Sequence, residues 1–228
     1  PVLHVAGSLS AIRSRSVHVS RSRPLQLSAY IVAVDSGFAP NPFRGRCTLA
    51  CCKPAIRRNA EPGDIIVGSG SVRSGLAGRL IYAMRVGEVL PLDEYWERYP
   101  SKRPSPRTAG SMRGDNIWHL RGSAWYGVRG ALHDETRRAR DLSGVNALIA
   151  DDFYYFGRDA VVVPVRFADM LATTQGHKNT HDAALIGRFW SWLSRAAPRK
   201  GRIGRPTEFT DAGCRAQRIH RDDDDDRC

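Results

Sequence analysis

Lysine is scarce in this chain of 228 residues: four stand against 31 arginines. The net charge of +12 is therefore carried almost wholly by guanidinium groups, whose planar fork donates two parallel hydrogen bonds to a phosphate or a base edge. A GC-rich genome produces the same bias, so the sign of the charge says more than the residue type. A basic surface attracts polyanions whatever produced it. Long apolar runs are missing too: none approaches the about 20 residues that a membrane-spanning helix needs. The start, PVLHVAGSLSAIRSRS, sets no basic segment ahead of an apolar core and does not read as a signal peptide. The expectation is a soluble, cytoplasmic protein with no membrane partner. No glycine-rich phosphate cradle of the P-loop type and no dinucleotide fingerprint occurs, which argues against a kinase or redox enzyme and implies no cofactor.

What is present is unevenly spread. Residues 1–27 hold four Arg and no acid, and residues 195–228 hold nine basic and seven acidic residues, five of them in DDDDD at 222–226. The intervening 28–194 carry 22 basic and 16 acidic residues. The first 27 residues and the last 19 lack a sustained period of 2 or 3.6 and read as disordered flanks. One folded unit over 28–209 is expected between them.

Within it, AYIVAVD (29–35) and GDIIVGSGS (63–71) predict strands, and GRLIYAMRVGEVL (78–90) predicts one long strand. PLDEYWERYP (91–100) opens with Pro and places acids in its first turn, as a short helix does. VNALIADDFYYFG (145–157) and DAVVVPV (159–165) predict two further strands. HDAALIGRFWSWLSRA (181–196) predicts a helix whose apolar stripe is Ala184, Ile186, Phe189, Trp190 and Leu193. Strands without alternating βα units argue for an α+β fold, with a small, curved or barrel-like, mostly antiparallel sheet.

Three cysteines lie in DSGFAPNPFRGRCTLACCKPAIRR (35–58), spaced C-x3-C-C at Cys47, Cys51 and Cys52. A structural zinc site needs four ligands. Cys214 and Cys228 sit in the tail and His119, His177 and His181 are scattered, so no metal is expected. A disulfide between the neighbours Cys51 and Cys52 is strained. A nucleophilic thiol beside Lys53 or Arg57 is chemically open, since nearby cations favour the thiolate. Small buried side chains near a strand end are the plainest alternative. The stretch is expected to form a structured loop between two strands.

Among the aspartates, Asp35 closes a strand, Asp64 sits in a Gly-Asp turn and Asp151–Asp152 precede an aromatic run. In GDNIWH (114–119), Asp115, Asn116 and His119 can supply an acid, an amide reader and a base after the Pro/Gly/basic loop 101–116. An Asx turn with a surface histidine is the alternative. In DFYYFG, Phe153 and Tyr155 share one face of a strand while Tyr154 and Phe156 share the other. One pair is expected in the core, and the other can stack on a base.

Taken together and in order, AYIVAVDSGFAPNPFRGRCTLACCKPAIRRNAEPGDIIVGSGS, GRLIYAMRVGEVLPLDEYW, KRPSPR, GDNIWH, DFYYFG, GHKNTH and GRPTEF resemble the nucleotide modification associated domain 2 family over residues 28 to 209. The resemblance implies a setting, the phage and bacterial systems that hypermodify DNA bases, without a reaction. Residues 117–145 are shortened and Arg-rich against that pattern. AIRRNAEPGDIIVGSGS followed by GRLIYAMRVGEVL is also similar to the motif order of EVE and PUA-like domains, which hold a base in a pocket on a small barrel.

Two functions are thereby expected as alternatives. As a reader of modified or flipped bases in DNA, the chain would use Arg44, Arg57 and Arg58 on phosphates and Tyr154 or Tyr155 with Asn116 on the base. As a base-modification enzyme, it would use Asp115 and His119 as an acid–base pair, assisted by Asp35 or Asp152. Asp115 and His119 are expected to line one pocket with Tyr154 or Tyr155. The implied partners are DNA or nucleotides and other base-modification enzymes, for which the chain can also act as a scaffold.

Overall fold

The structure, a computed structural model, describes residues 23–105 and 111–208. The expected flanks therefore lie almost entirely outside the described residues, as do Cys214, Cys228 and positions 106–110 of the Pro/Gly/basic loop.

Strand β1 (Leu27–Val32) pairs in parallel with β3 (Ile65–Gly70), which pairs antiparallel with β4 (Arg79–Arg85). The sheet continues through β9 (Asp152–Tyr155) to β12 (Gly201–Arg202) on one side and through β1 to β11 (His177–Thr180) on the other. The short β10 (Val161–Val162) also pairs with β4. A second sheet joins β2 (Cys47–Leu49), β8 (Asn146–Ala150) and β5 (Glu88–Pro91), all antiparallel. A two-stranded hairpin, β6 (Trp118–Arg121) and β7 (Ala124–Gly127), stands apart. The α+β class and the mainly antiparallel pairing hold. The sheets stay open: β11 and β12 end the large one and do not pair, so the expected barrel does not close.

The two long strands expected at 78–90 and 145–157 each divide. At Val86–Gly87 the chain leaves β4 for β5, and at Asp151 it leaves β8 for β9, moving from one sheet to the other. Both runs read as continuous because the buried parts of β4, β8 and β9 carry apolar residues on both faces. The helix expected at 181–196 is α5 (Ala183–Ala196), capped by Asp182, which accepts from the Leu185 N–H. Its Ile186, Phe189, Trp190 and Leu193 are buried against one face of the large sheet. Leu185, not the exposed Ala184, extends the stripe. The opposite face packs Tyr30, Tyr82, Met84 and Tyr155 against Cys47, Leu49, Leu148 and Ala150 of the small sheet. The acid-led segment at 91–100 forms α2 (Leu92–Arg98), whose Leu92 and Tyr95 pack on the outer side of that sheet.

The segment 35–58 is more than a loop. It holds β2 and then α1 (Pro54–Asn59), with Pro54 in the first turn, where its missing N–H costs nothing. Between them Cys52 and Lys53 adopt φ of 58° and 41°, the left-handed region that non-glycine residues avoid at roughly 1–2 kcal/mol each. Pro54 also bars Lys53 from the right-handed helical region. A sharp strand–turn–helix corner results, with Cys52 at its apex.

Candidate active site

The corner is held from both sides. The Cys52 N–H donates to Asp141 Oδ1 at 2.9 Å, and its carbonyl accepts from Arg57 Nε at 2.8 Å. Arg57 also donates through Nη1 to the Asn146 carbonyl at 2.6 Å and through Nη2 to the Asp141 carbonyl. It is fully buried. Gly144 leaves room for it, since a Cβ there would lie 2.3 Å from the guanidinium carbon. Asp141 belongs to α3 (Arg138–Leu142), so one buried arginine ties the cysteine corner to the α3 loop.

Asp141 faces His133 across this junction. His133 Nδ1 lies 2.6 Å from Asp141 Oδ2, which also accepts from Trp118 Nε1 at 3.1 Å. The other ring nitrogen, Nε2, is 3.7 Å from Cys52 Sγ. Phe38 packs edge-on against the imidazole, with centroids 4.8 Å apart. Burial pushes the Asp141 carboxyl up, but the hydrogen bonds from His133, the Cys52 N–H and Trp118 outweigh it and hold the group below the usual range. Burial works against a charge on His133 too, yet its bonds to Asp141 and Cys52 raise its pKa to about 9. Thiol, imidazole and carboxylate thus stand in series, the order in which a base activates a nucleophile and a third group orients the base. Cys52 is half-buried, whereas Cys47 and Cys51 are fully buried and burial pushes both thiols up.

Cys51 Sγ, His133 and Asp141 also offer ligand atoms within 4.8 Å of one another, a set that can hold a metal ion. Their present bonds favour the triad. The Cys51 thiol donates to the Asp115 carbonyl at 3.4 Å, and a 2.6 Å imidazole–carboxylate bond leaves no space for an ion between those two groups. Lys53, beside Cys52, lies with Nζ 4.4 Å from the Tyr30 ring centre, and burial pushes its pKa down.

The residues expected from the sequence fall elsewhere. Asp115 is buried, accepting from Thr48 Oγ1 at 2.8 Å, Tyr95 Oη at 2.8 Å and the Ala50 N–H at 3.2 Å. Burial pushes its pKa up. Asn116 donates to the Tyr95 and Tyr99 carbonyls, both at 3.0 Å, and so satisfies the end of α2. His119 stacks on Trp96 at 4.4 Å. Asp115 and His119 therefore attach to different sides of α2, and none of the contacts described for them includes Tyr154 or Tyr155. Those tyrosines do alternate as expected, but β9 is an inner strand and both of its faces are core. Tyr154 packs on Trp190, and Tyr155 donates its hydroxyl to Asp35. Neither is an open stacking ring. Asp35, buried, also accepts from the Thr207 N–H at 3.1 Å and clamps the GRPTEF segment. Asp152 pairs with Lys200 at 2.5 Å.

Of the arginines, Arg57 does not face a polyanion: successive helical residues point about 100° apart, so Arg57 enters the core while Arg58 stays outside. Arg58 is exposed beside a groove of about 500 Å³ lined also by Gln26, Ser28, His177 and Asn179. Arg44 is exposed at a left-handed turn with φ of 60°. His133 and Asp141 are the residues that sequence reasoning missed. Both lie in the Arg-rich stretch 117–145, and the one signal for them was a thiol next to Lys-Pro, where a strand can turn into a helix.

The chain is thus an α+β protein that sets a thiol, an imidazole and a carboxylate in series at a strand–helix corner. A family model, nucleotide modification associated domain 2, matches residues 25–213, and the chain belongs to that family. Comparison with curated proteins and with solved structures returns no match. No helix among the described residues is long and apolar enough to cross a membrane.

Proposed function

We propose that the chain is a thiol-dependent enzyme acting on nucleotides in a base-modification system. The observation that carries this reading is the 3.7 Å approach of Cys52 Sγ to His133 Nε2, with Nδ1 of the same ring fixed by Asp141 at 2.6 Å. His133 is placed to take the proton of the Cys52 thiol. With the proton on the ring, sulfur is the nucleophile and the imidazolium is the acid.

The reaction class that suits this pair is acyl transfer. Sulfur attacks the acyl carbon of an ester or amide. As the thioester forms, the leaving alcohol or amine takes its proton from His133. An amino group of the nucleotide, or water, then attacks the thioester and gives a proton to His133, the carbon–sulfur bond breaks to expel the thiolate, and the ring returns the proton to sulfur. Asp141 holds the ring in the required tautomer throughout. Asp115 and His119 are left with structural work in this reading.

The experiment is mass spectrometry of nucleosides from DNA of cells expressing the native chain or its Cys52→Ser variant. A nucleoside of altered mass that appears only with the native chain supports the proposal. Identical profiles, with the native protein folded and its family partners supplied, contradict it.

A second reading, in which the chain holds a modified or extruded base without changing it, draws on the groove beside Arg58. Its guanidinium, amide and hydroxyl groups suit a phosphate and a base edge. In that case Cys52→Ser leaves both base chemistry and binding unchanged, while Arg58→Ala weakens binding.

A further inference from the structure

The β6–β7 hairpin carries on one face a run of rings and cations that neither reading above uses. His119 and Tyr126 are directly opposed across the hairpin, and Arg121 follows His119 by two positions, so all three share a face. His119 is stacked on Trp96 of α2, with centroids 4.4 Å apart and planes 22° apart. Arg103 covers Trp96 with its guanidinium carbon 3.9 Å from the ring centre. Outward from His119, Tyr126 follows at 6.2 Å, and Arg121 caps Tyr126 at 5.4 Å. Cation, indole, imidazole, phenol and cation are therefore successive neighbours. Tyr126, the outer ring, is 45% exposed.

Two features show that this run is more than hairpin packing. His119 Nδ1 is buried without a hydrogen-bond partner although the residue is only 8% exposed, so the ring is kept for its π-face and not for its polar atoms. Burial, with Arg121 and Arg103 close by, pushes its pKa down, which keeps the ring neutral and able to stack. The surroundings are also cationic: residues 121–140 hold five arginines and two acids. The other face of the same hairpin turns inward, where Trp118 donates to Asp141. One short element thus touches the triad on one face and presents the ladder on the other.

We propose that this ladder binds a single-stranded segment of polynucleotide, an unpaired base taking the place of the Arg121 guanidinium on Tyr126 while Arg121 moves to a phosphate. An exposed ring with arginines close by, Tyr126 here, suits an unstacked base, because every base has a π-face, whereas a duplex buries those faces. The inference rests on the nucleotide-directed reading above but not on the thiol chemistry. It adds that the substrate is a strand held on the ladder face of the hairpin, not a free nucleotide.

The test uses the full chain and fluorescence anisotropy with a labelled oligothymidylate of about 20 nucleotides, its duplex with oligoadenylate, and free thymidine triphosphate as competitor. The single strand is expected to bind tighter than the duplex, and the triphosphate to compete weakly. Tyr126→Ala should weaken strand binding by about 5- to 100-fold, the range for one lost stacking contact. Arg121→Ala should lower the salt slope by about 1. Both residues are exposed, and alkylation of Cys52 at the native rate confirms that each variant keeps the triad. Tighter duplex binding, or strand affinity unchanged in Tyr126→Ala, overturns the proposal. Conversely, Cys52→Ser should bind the strand as the native chain does, so failure of the thiol reading and failure of the ladder are read separately.

Discussion

Arg57 donates its Nε–H to the carbonyl oxygen of Cys52 at 2.8 Å from inside the protein, and so props the corner on which the thiol stands. Its other two contacts are also backbone carbonyls, from the α3 loop and the start of β8. A lysine keeps the charge but cannot reach three acceptors in one plane. Arg57→Lys is expected to destabilise the fold by about 2–4 kcal/mol in urea unfolding, the scale for leaving buried polar groups unpaired. The salt slope of polynucleotide binding should not change, because this guanidinium does not meet solvent. A lowered slope would return Arg57 to the surface.

The His133–Asp141 pair gives stability a defined pH window. His133 is raised from its usual 6.5 to about 9, so its contribution is full below 6.5 and is lost as pH rises through about 9. Asp141 is depressed, so its contribution is present above the usual carboxylate range and is lost as pH falls through its lowered value. The melting temperature should therefore fall from about pH 6.5 to about 9 in the native chain. Asp141→Asn should flatten that fall, and an equal fall in both proteins would remove the pair from the account.

Asp115 is expected to behave as a buried strut and not as a base. An amide in its place would turn donors toward the Ala50 N–H or the hydroxyls of Thr48 and Tyr95, at a cost of about 1–3 kcal/mol. Thermal unfolding of Asp115→Asn should register that loss while Cys52 in the folded fraction alkylates at the native rate. Loss of thiol reactivity without loss of stability would restore a chemical role to Asp115.

Elemental analysis should find no stoichiometric zinc, and chelators should leave the melting temperature unchanged. The potential ligands Cys51, His133 and Asp141 are bonded to Asp115 and to each other in a way an ion would have to break. One zinc per chain, with destabilisation on chelation, would favour a metal centre.

The sequence made the ordinary elements legible and hid the site. The strand expected at 29–35, which runs instead over Leu27–Val32 and ends before Asp35, the acid-led α2 and the amphipathic α5 were readable from β-branched content, end signals and helical period. The breaks inside 78–90 and 145–157 were not, because strands covered on both faces show no alternation. The same cause misled the reading of Tyr154 and Tyr155: the alternation was right, but an inner strand has no outer face. His133 and Asp141 were invisible for another reason. Eight residues apart in an Arg-rich stretch with only a five-residue helix, they meet Cys52 through a tertiary contact more than 80 positions distant, which no local period encodes.

The pairing of Cys52 with His133 is read from the rate at which iodoacetamide modifies Cys52, followed by peptide mass spectrometry at pH 7 with Cys47 and Cys51 as internal references. In the native chain Cys52 should react first, since its two neighbours are fully buried with their thiols pushed up. His133→Ala should slow Cys52 by about tenfold or more while the protein stays folded, because the ring placed to take its proton is gone. An unchanged rate in His133→Ala would contradict the account.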